Sequence, residues 1–331
     1  MTQSSQPLGP AAVFAALNST ACGPRPHNCR VKCIYHRWYE VPLSPNHPFP
    51  MSKYPLLKAQ LLAENIISAA DLVEPPPLDL PSLELVHTRE YLQKLSSAAL
   101  SAAEIRRLGL PWSEALWQRS QLAVSGTLLA GRTALCEGLA ANLAGGTHHA
   151  FADHGEGFCV LNDVAFAVTV LRAEGAVRRG VVIDLDVHQG NGTAAIFEHV
   201  NEVFTFSMHG DRNYPVAKMR SNVDVPLRDR VGDAEYLEQL AAHLPVVLER
   251  SAPDIAFYLA GVDVVAGDRY GRLALSESGL AQRDRYVIET VRGLAIPLAI
   301  VLAGGYAATR ERTAHLHTHV FREALRAVRR S

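Results

Sequence analysis

Val181-Val182-Ile183-Asp184-Leu185-Asp186-Val187-His188-Gln189-Gly190-Asn191-Gly192 is the stretch from which the rest of the chain can be read. The run Val181–Val187 reads as a buried strand, and the glycines after it as the turn that follows. Side chains alternate along a strand, so positions 184, 186 and 188 share one side and 183, 185 and 187 the other. Two carboxylates and an imidazole thereby converge at the end of an apolar strand. An unpaired carboxylate buried there would be strongly destabilising or would take up a proton. A divalent metal removes the problem. Zinc accepts Asp oxygen and His nitrogen, and a catalytic site uses three protein ligands plus an open position for water. The blander reading makes the aspartate a helix cap and the histidine a satisfied core residue.

Outward from this stretch the chain alternates. Short apolar runs at Val31–Tyr35, Leu83–Val86, Val203–Ser207, Ile255–Ala260 and Leu298–Ala303 read as further buried strands. Between them, Tyr54–Ile66, Ser113–Glu137, Val160–Glu174, Asp233–Arg250 and Gly279–Leu294 carry helical period. Strands alternating with helices predict an α/β fold, a single domain with a central, mostly parallel sheet flanked by helices. No repeat or composition shift divides it, so residues 30–331 read as one domain. Residues 1–29, rich in Ser, Pro, Gly and Asn, read as a flexible tail.

Composition narrows the function classes. The chain has 331 residues, 48% hydrophobic and 20% charged, which predicts a sizeable core rather than disorder. With 32 basic against 33 acidic residues and a net charge of -1, it lacks the basic excess of a nucleic-acid binder. Its longest apolar run, Leu294–Ala303, contains a proline and is far shorter than the roughly 20 residues of a membrane span. The five cysteines form no C-x-x-C pair and read as free thiols of a reducing compartment. No basic residue precedes the apolar stretch Ala11–Leu17, a poor match to a secretory signal, so a cytoplasmic location is expected.

In open α/β sheets ligands bind outside the carboxyl ends of the strands. Asp263, in Gly261-Val262-Asp263 after the strand at 255–260, is therefore the best third partner for Asp186 and His188. Gly145-Gly146-Thr147-His148-His149 puts two imidazoles where backbone must approach closely, a pattern suited to acid–base work. Gly155-Glu156-Gly157-Phe158-Cys159 follows shortly after. Val301-Leu302-Ala303-Gly304-Gly305-Tyr306 delivers a phenol to the same sheet edge, where it could donate to a developing oxyanion.

In order and spacing these elements resemble the histone deacetylase family of zinc amidohydrolases, whose fold is arginase/deacetylase-like, over about residues 30–325. His47-Pro48-Phe49, Asp184-Leu185-Asp186, His188–Gly192 and Gly267-Asp268-Arg269 are most similar to its class IV branch. The resemblance implies a zinc-dependent lysine deacylase, acting on acetyl and longer fatty acyl groups. Zinc would sit on Asp186, His188 and Asp263. His149 would be the general base and His148, paired with Asp184, its electrostatic partner. Tyr306 would stabilise the oxyanion. Gly157 would offer its carbonyl to the substrate amide, between the aromatic walls Phe158 and Tyr214. A structural potassium ion (K+) would take backbone carbonyls of Asp184, Asp186, His188 and Met208 and the hydroxyl of Ser207.

Three positions depart from the usual family pattern. Asn191 stands where many relatives carry an acid, which predicts a less basic His149. Thr147 replaces a bulky aromatic, which predicts a roomier tunnel floor. Tyr270 replaces a smaller aliphatic residue at the tunnel rim. The competing readings are a small-molecule amidohydrolase, such as an acetylpolyamine deacetylase, and a scaffold that binds acyl-lysine without turnover. Arg269 and Tyr270 at the expected mouth disfavour a polycationic substrate. The filled catalytic positions disfavour the scaffold. The partner expected throughout is an acylated lysine or a small acylated amine, with no nucleic acid.

Overall fold

The computed structural model describes residues 30–78 and 80–330. The tail expected over 1–29 lies outside the described residues. Among the described residues eight strands form one sheet: β1 (Lys32–Ile34), β2 (Leu72–Val73), β3 (Leu139–Asn142), β4 (Gly180–Asp184), β5 (Val203–Gly210), β6 (Val223–Leu227), β7 (Ile255–Leu259) and β8 (Leu298–Val301). Their order is β2-β1-β3-β8-β7-β4-β5-β6, and every neighbouring pair is parallel. The central strands β3, β8, β7 and β4 are buried at every position, as expected of a sheet flanked by helices.

The helices are α1 (Lys53–Ala63), α2 (Leu80–Leu83), α3 (Arg89–Ser96), α4 (Ala102–Leu108), α5 (Glu114–Glu137), α6 (Asp163–Ala173), α7 (Asn191–Phe197), α8 (Asp233–Ser251), α9 (Glu277–Gly293) and α10 (Arg310–Arg330). Their ends follow local chemistry. Ser113 caps α5 by accepting from the Leu116 amide at 3.1 Å, and Gly138, at φ 88°, ends it in the left-handed region. Asn162 caps α6 through the Ala165 amide at 3.0 Å.

Two sequence-predicted strands need correction. Leu83–Val86 is not a strand. Leu83 and Val86 are buried while Glu84 and Leu85 are exposed, a helical spacing rather than alternation. The strand predicted to continue to Val187 stops at Asp184. There the Asp186 amide donates to Asp184 Oδ1 at 3.1 Å and the His188 amide to Asp186 Oδ1 at 2.9 Å. Side chains thus compete with the sheet for backbone donors and turn the chain. Strand alternation therefore does not govern 186 and 188.

The turns after β3, β4, β7 and β8 all lie at the carboxyl edge of the sheet, and they carry the predicted site residues. Buried Arg283 of α9 braces two of them from behind. Its Nη1 donates to the carbonyls of Gly261, at 2.6 Å, and Leu185, at 3.2 Å.

Candidate active site

Asp186, His188 and Asp263 come together. His188 Nδ1 lies 2.9 Å from Asp186 Oδ1 and 3.3 Å from Asp263 Oδ2, and all three residues are buried. Each carboxylate is also anchored by backbone. The Gly304 amide donates to Asp186 Oδ2 at 2.5 Å, and the Val187 amide to Asp263 Oδ1 at 3.0 Å. Glycine is required at 304, because a Cβ there would sit 1.8 Å from Asp263 Oδ2. Burial and the neighbouring Asp186 charge push the Asp263 carboxyl up to about 7. The two carboxylates overcome burial to hold the His188 imidazole up to about 10. The field here strongly favours a positive charge. One proton on His188 Nδ1 does not satisfy both carboxylates, and Asp263 Oδ2 is buried with no hydrogen bond. Two aspartate oxygens and one imidazole nitrogen, clustered and short of a cation, fit a divalent metal ion.

The tandem histidines pack above this triplet, their ring centroids 4.1 Å apart. They are positioned by Asp163, fully buried at the start of α6. It accepts from the amides of Gly146, at 3.0 Å, and Thr147, at 2.7 Å, and from the hydroxyls of Thr127, at 2.6 Å, and Thr147, at 2.5 Å. Gly146, at φ 68°, passes so close to β8 that a Cβ would fall 1.9 Å from the Leu302 carbonyl oxygen.

The two imidazoles have opposite environments. His148 Nδ1 lies 2.6 Å from Asp184 Oδ2. Burial pulls its pKa down, but the carboxylate outweighs burial and holds it up to about 9. Asp184 therefore pairs with His148 rather than joining Asp186 and His188. His149 Nδ1 lies 2.6 Å from Asn191 Oδ1. Burial, then the charges of His148 and His188, hold it well below the usual histidine range.

Sequence reasoning missed Glu156. Asn191 Nδ2 donates to Glu156 Oε1 at 2.6 Å. A carboxylate only accepts, so the amide nitrogen of Asn191 must face Glu156 and its oxygen must face His149. The proton of neutral His149 is thereby fixed on Nδ1, and its Nε2 lone pair is free. Asp268 is a second missed residue. It accepts from the Tyr306 amide at 2.6 Å, the Tyr270 amide at 2.9 Å and the Gly271 amide at 3.0 Å, which sets the Tyr306 turn. Glu156 stands between two glycines in its motif, and Asp268 follows Gly267, but Asn191 and Tyr306, the partners that tie them to the site, are distant in sequence.

Aromatic rings enclose the approach. Tyr214 meets His149 edge to face at 5.0 Å, and Phe158 lies 6.1 Å from Tyr306. Gly157 packs on the His149 ring, where a Cβ would come within 2.6 Å of His149 Cδ2. Burial and the nearby buried aspartates hold the Tyr306 phenol protonated far above its usual range. Tyr270 packs edge to face on Tyr306 at 4.9 Å, so it supports that ring.

The floor is not roomy. The Thr147 hydroxyl is turned away into the Asp163 and Leu161 contacts, at 2.5 Å each. The cavity lined by Thr147, Lys53, Arg119 and Tyr306 measures about 30 Å³, space for only about two waters. Phe49, Tyr54 and the Lys53 and Arg119 side chains line it together with Thr147, so the small residue at 147 does not by itself open the floor. Lys53 was also missed. It is buried, donates to the Ala303 carbonyl at 2.6 Å, and burial brings its ammonium down to about 8. Of the expected potassium ligands, Asp184 pairs with Ser207 across the β4–β5 ladder and Met208 follows on β5. The Ser207 hydroxyl bonds His209 Nδ1 at 2.9 Å.

Residues 47–323 match the histone deacetylase domain. The chain belongs to the histone deacetylase family. This family member is 31% identical to histone deacetylase 2 of Arabidopsis thaliana over 290 residues, covering 84% of this chain and 75% of that protein. It is 44% identical over 292 residues to an uncharacterized protein of Picosynechococcus sp., covering 88% and 95% of the two chains. The crystal structure of the HDA15 HD domain superposes with a TM-score of 0.74 at 21% identity, covering 89% of this chain and 90% of that one, a likeness of fold. The protein is thus a hydrolase of a metal-dependent deacetylase family. No described helix is long and apolar enough to cross a membrane.

Proposed function

We propose that this deacetylase-family protein is a zinc-dependent lysine deacylase that hydrolyses the amide of Nε-acetyl-lysine, with residues 30–331 as its catalytic unit. The observation that carries the reading is the convergence of Asp186, His188 and Asp263 beneath His149 and Tyr306. Zinc held by those three ligands would polarise the amide carbonyl and acidify a water.

The chain's own groups divide the remaining work. His149, neutral and with its proton fixed on Nδ1 through Asn191 and Glu156, offers Nε2 as general base. That nitrogen would accept the proton of the acidified water and pass it to the leaving amine. His148, held cationic by Asp184, supplies fixed positive charge next to it. The protonated Tyr306 phenol donates to the oxyanion. Phe158 and Tyr214 flank the lysine methylenes, and the Gly157 carbonyl accepts from the amide N–H. Lys53 gives the carboxylate product a positively charged surrounding at the cavity end. A potassium ion on the Asp184–Met208 set belongs to the same proposal.

The small polar floor favours acetyl over long fatty chains, against the chain length that the class IV likeness implies. The test is hydrolysis of one lysine peptide carrying acyl groups from acetyl to myristoyl, with and without chelator. Chelator-sensitive turnover that peaks at acetyl is expected. A peak at myristoyl would overturn the acyl assignment. No turnover of any peptide, with turnover of acetylated polyamines, would move the protein to the small-molecule reading.

A further inference from the structure

A second group of metal-ligating side chains lies away from the acyl-lysine site, where the start of α9 meets α10. His315 and His319 are four residues apart on α10 and so share a face. Glu277 is the first residue of α9. His315 Nε2 lies 2.8 Å and His319 Nε2 2.7 Å from the same oxygen, Oε1 of Glu277. The two rings stand nearly perpendicular, at 83° with centroids 5.7 Å apart, so they converge on one point without stacking. The other carboxylate oxygen is held by Arg312 at 2.6 Å, which fixes the rotation of the carboxylate and turns Oε1 to the imidazoles.

We propose that Glu277, His315 and His319 form a second divalent-metal site that binds a zinc-class ion and clips α9 to α10. Two imidazole nitrogens and one carboxylate oxygen are a zinc-type donor set of three, leaving a position for water. Among the described residues only one other group of His, Cys, Asp or Glu brings three ligand atoms so close together, and it is the Asp186–His188–Asp263 triplet. Both groups crowd imidazole nitrogen and carboxylate oxygen around one point, one with a single ring and two carboxylates, the other with two rings and one carboxylate. As a pure hydrogen-bond network, the cluster places two N–H donors on a single acceptor oxygen. An ion replaces both protons and uses both nitrogen lone pairs. The side chains are 35%, 12% and 34% exposed for His315, His319 and Glu277, so an ion can reach them from solvent.

The position gives the clip a consequence. Glu277 follows the segment in which Asp268 holds the Tyr306 amide, and His315 follows Tyr306 itself into α10. An ion here joins the two helices that continue from the turns shaping the catalytic pocket. It is a structural tie, independent of the chemistry proposed for that pocket.

The test is equilibrium dialysis of the full, chelator-stripped chain against zinc chloride alone, with bound zinc counted per chain. Two equivalents are expected for the wild type. His319→Ala and Glu277→Gln should each bind one and keep deacylase turnover, while Asp263→Ala should lose the other equivalent and turnover with it. Loss of one equivalent in His319→Ala supports the clip whatever Asp263→Ala does, so failure of the catalytic reading remains distinguishable. His315→Gln, with cobalt(II) absorption as readout, repeats the test should His319→Ala fail to fold. Unchanged zinc in His319→Ala and Glu277→Gln, or a single equivalent in the wild type that only Asp263→Ala removes, overturns the proposal.

Discussion

His87 offers a quantitative test of how the catalytic turn is held. It is buried; its Nε2 accepts from the Asn162 amide at 3.0 Å, so the neutral ring must carry its proton on Nδ1 and donate to the Phe151 carbonyl, also at 3.0 Å. Phe151 lies two residues beyond His149, and Asn162 caps α6, whose Asp163 holds the same turn. Burial brings the His87 pKa down from 6.5 to about 4. The folded protein therefore excludes a proton that the unfolded chain binds below pH 6.5. Stability linked to His87 is fully present above pH 6.5 and is lost as pH falls toward 4. At pH 4.5 the linkage amounts to roughly 2.5 kcal/mol, from about 1.4 kcal/mol per pKa unit. His87→Phe removes this titration but leaves the Asn162 amide and the Phe151 carbonyl without partners, a cost of about 2–6 kcal/mol at neutral pH. The assay is urea unfolding of both proteins at pH 7 and pH 4.5. The wild type should lose roughly 2.5 kcal/mol more than the variant between the two, because other titrating groups cancel in the difference. An equal pH dependence would refute the assignment of His87 as a buried neutral tie.

Other outcomes follow from the site geometry. Tyr306→Phe should keep bound zinc and lower kcat by about 10²–10³-fold, the loss expected for one oxyanion donor; unchanged kcat would remove the phenol from the reaction. His149→Ala should damage turnover more than His148→Ala, and steady-state kinetics giving the reverse order would mean that their roles are exchanged. Asn191→Asp places a carboxylate on His149 Nδ1 and raises its basicity, so the acid limb of the kcat/KM profile should move to higher pH; a profile that stays in place would exclude His149 as the titrating base. Glu156→Gln should broaden the choice of Asn191 orientation and lower kcat with zinc content intact, and unaltered kcat would show that the amide is oriented without Glu156.

The parts of the fold that were legible are those whose burial is written in continuous apolar runs. Val181–Ile183, Ile255–Leu259 and Leu298–Val301 announce the centre of the sheet because they are covered on both sides. β3 was not legible, since Leu139-Ala140-Ala141-Asn142 is short, alanine-rich and ends on a buried amide bonded to Tyr39 and Thr127. β6 was hidden by Pro226, which is tolerated because β6 is the edge strand. In the site, Asp186, His188 and Asp263 were legible as polar groups at apolar strand ends. Asp163, Glu156, Asp268 and Lys53 were not, because each acts through a partner that only the folded chain brings near. Thr147 misled for the same reason. Its size suggested space, while the space is set by Phe49, Tyr54, Lys53 and Arg119 from elsewhere in the chain.

Zinc on Asp186, His188 and Asp263 is proposed to drive hydrolysis of an acyl-lysine amide. The most direct test is turnover of an acetyl-lysine peptide by the His319→Ala chain, stripped with chelator and then titrated with zinc. Activity should vanish on stripping and return to a plateau at one equivalent. Full activity in the stripped protein, or none after zinc is restored to a folded chain, would contradict the claim.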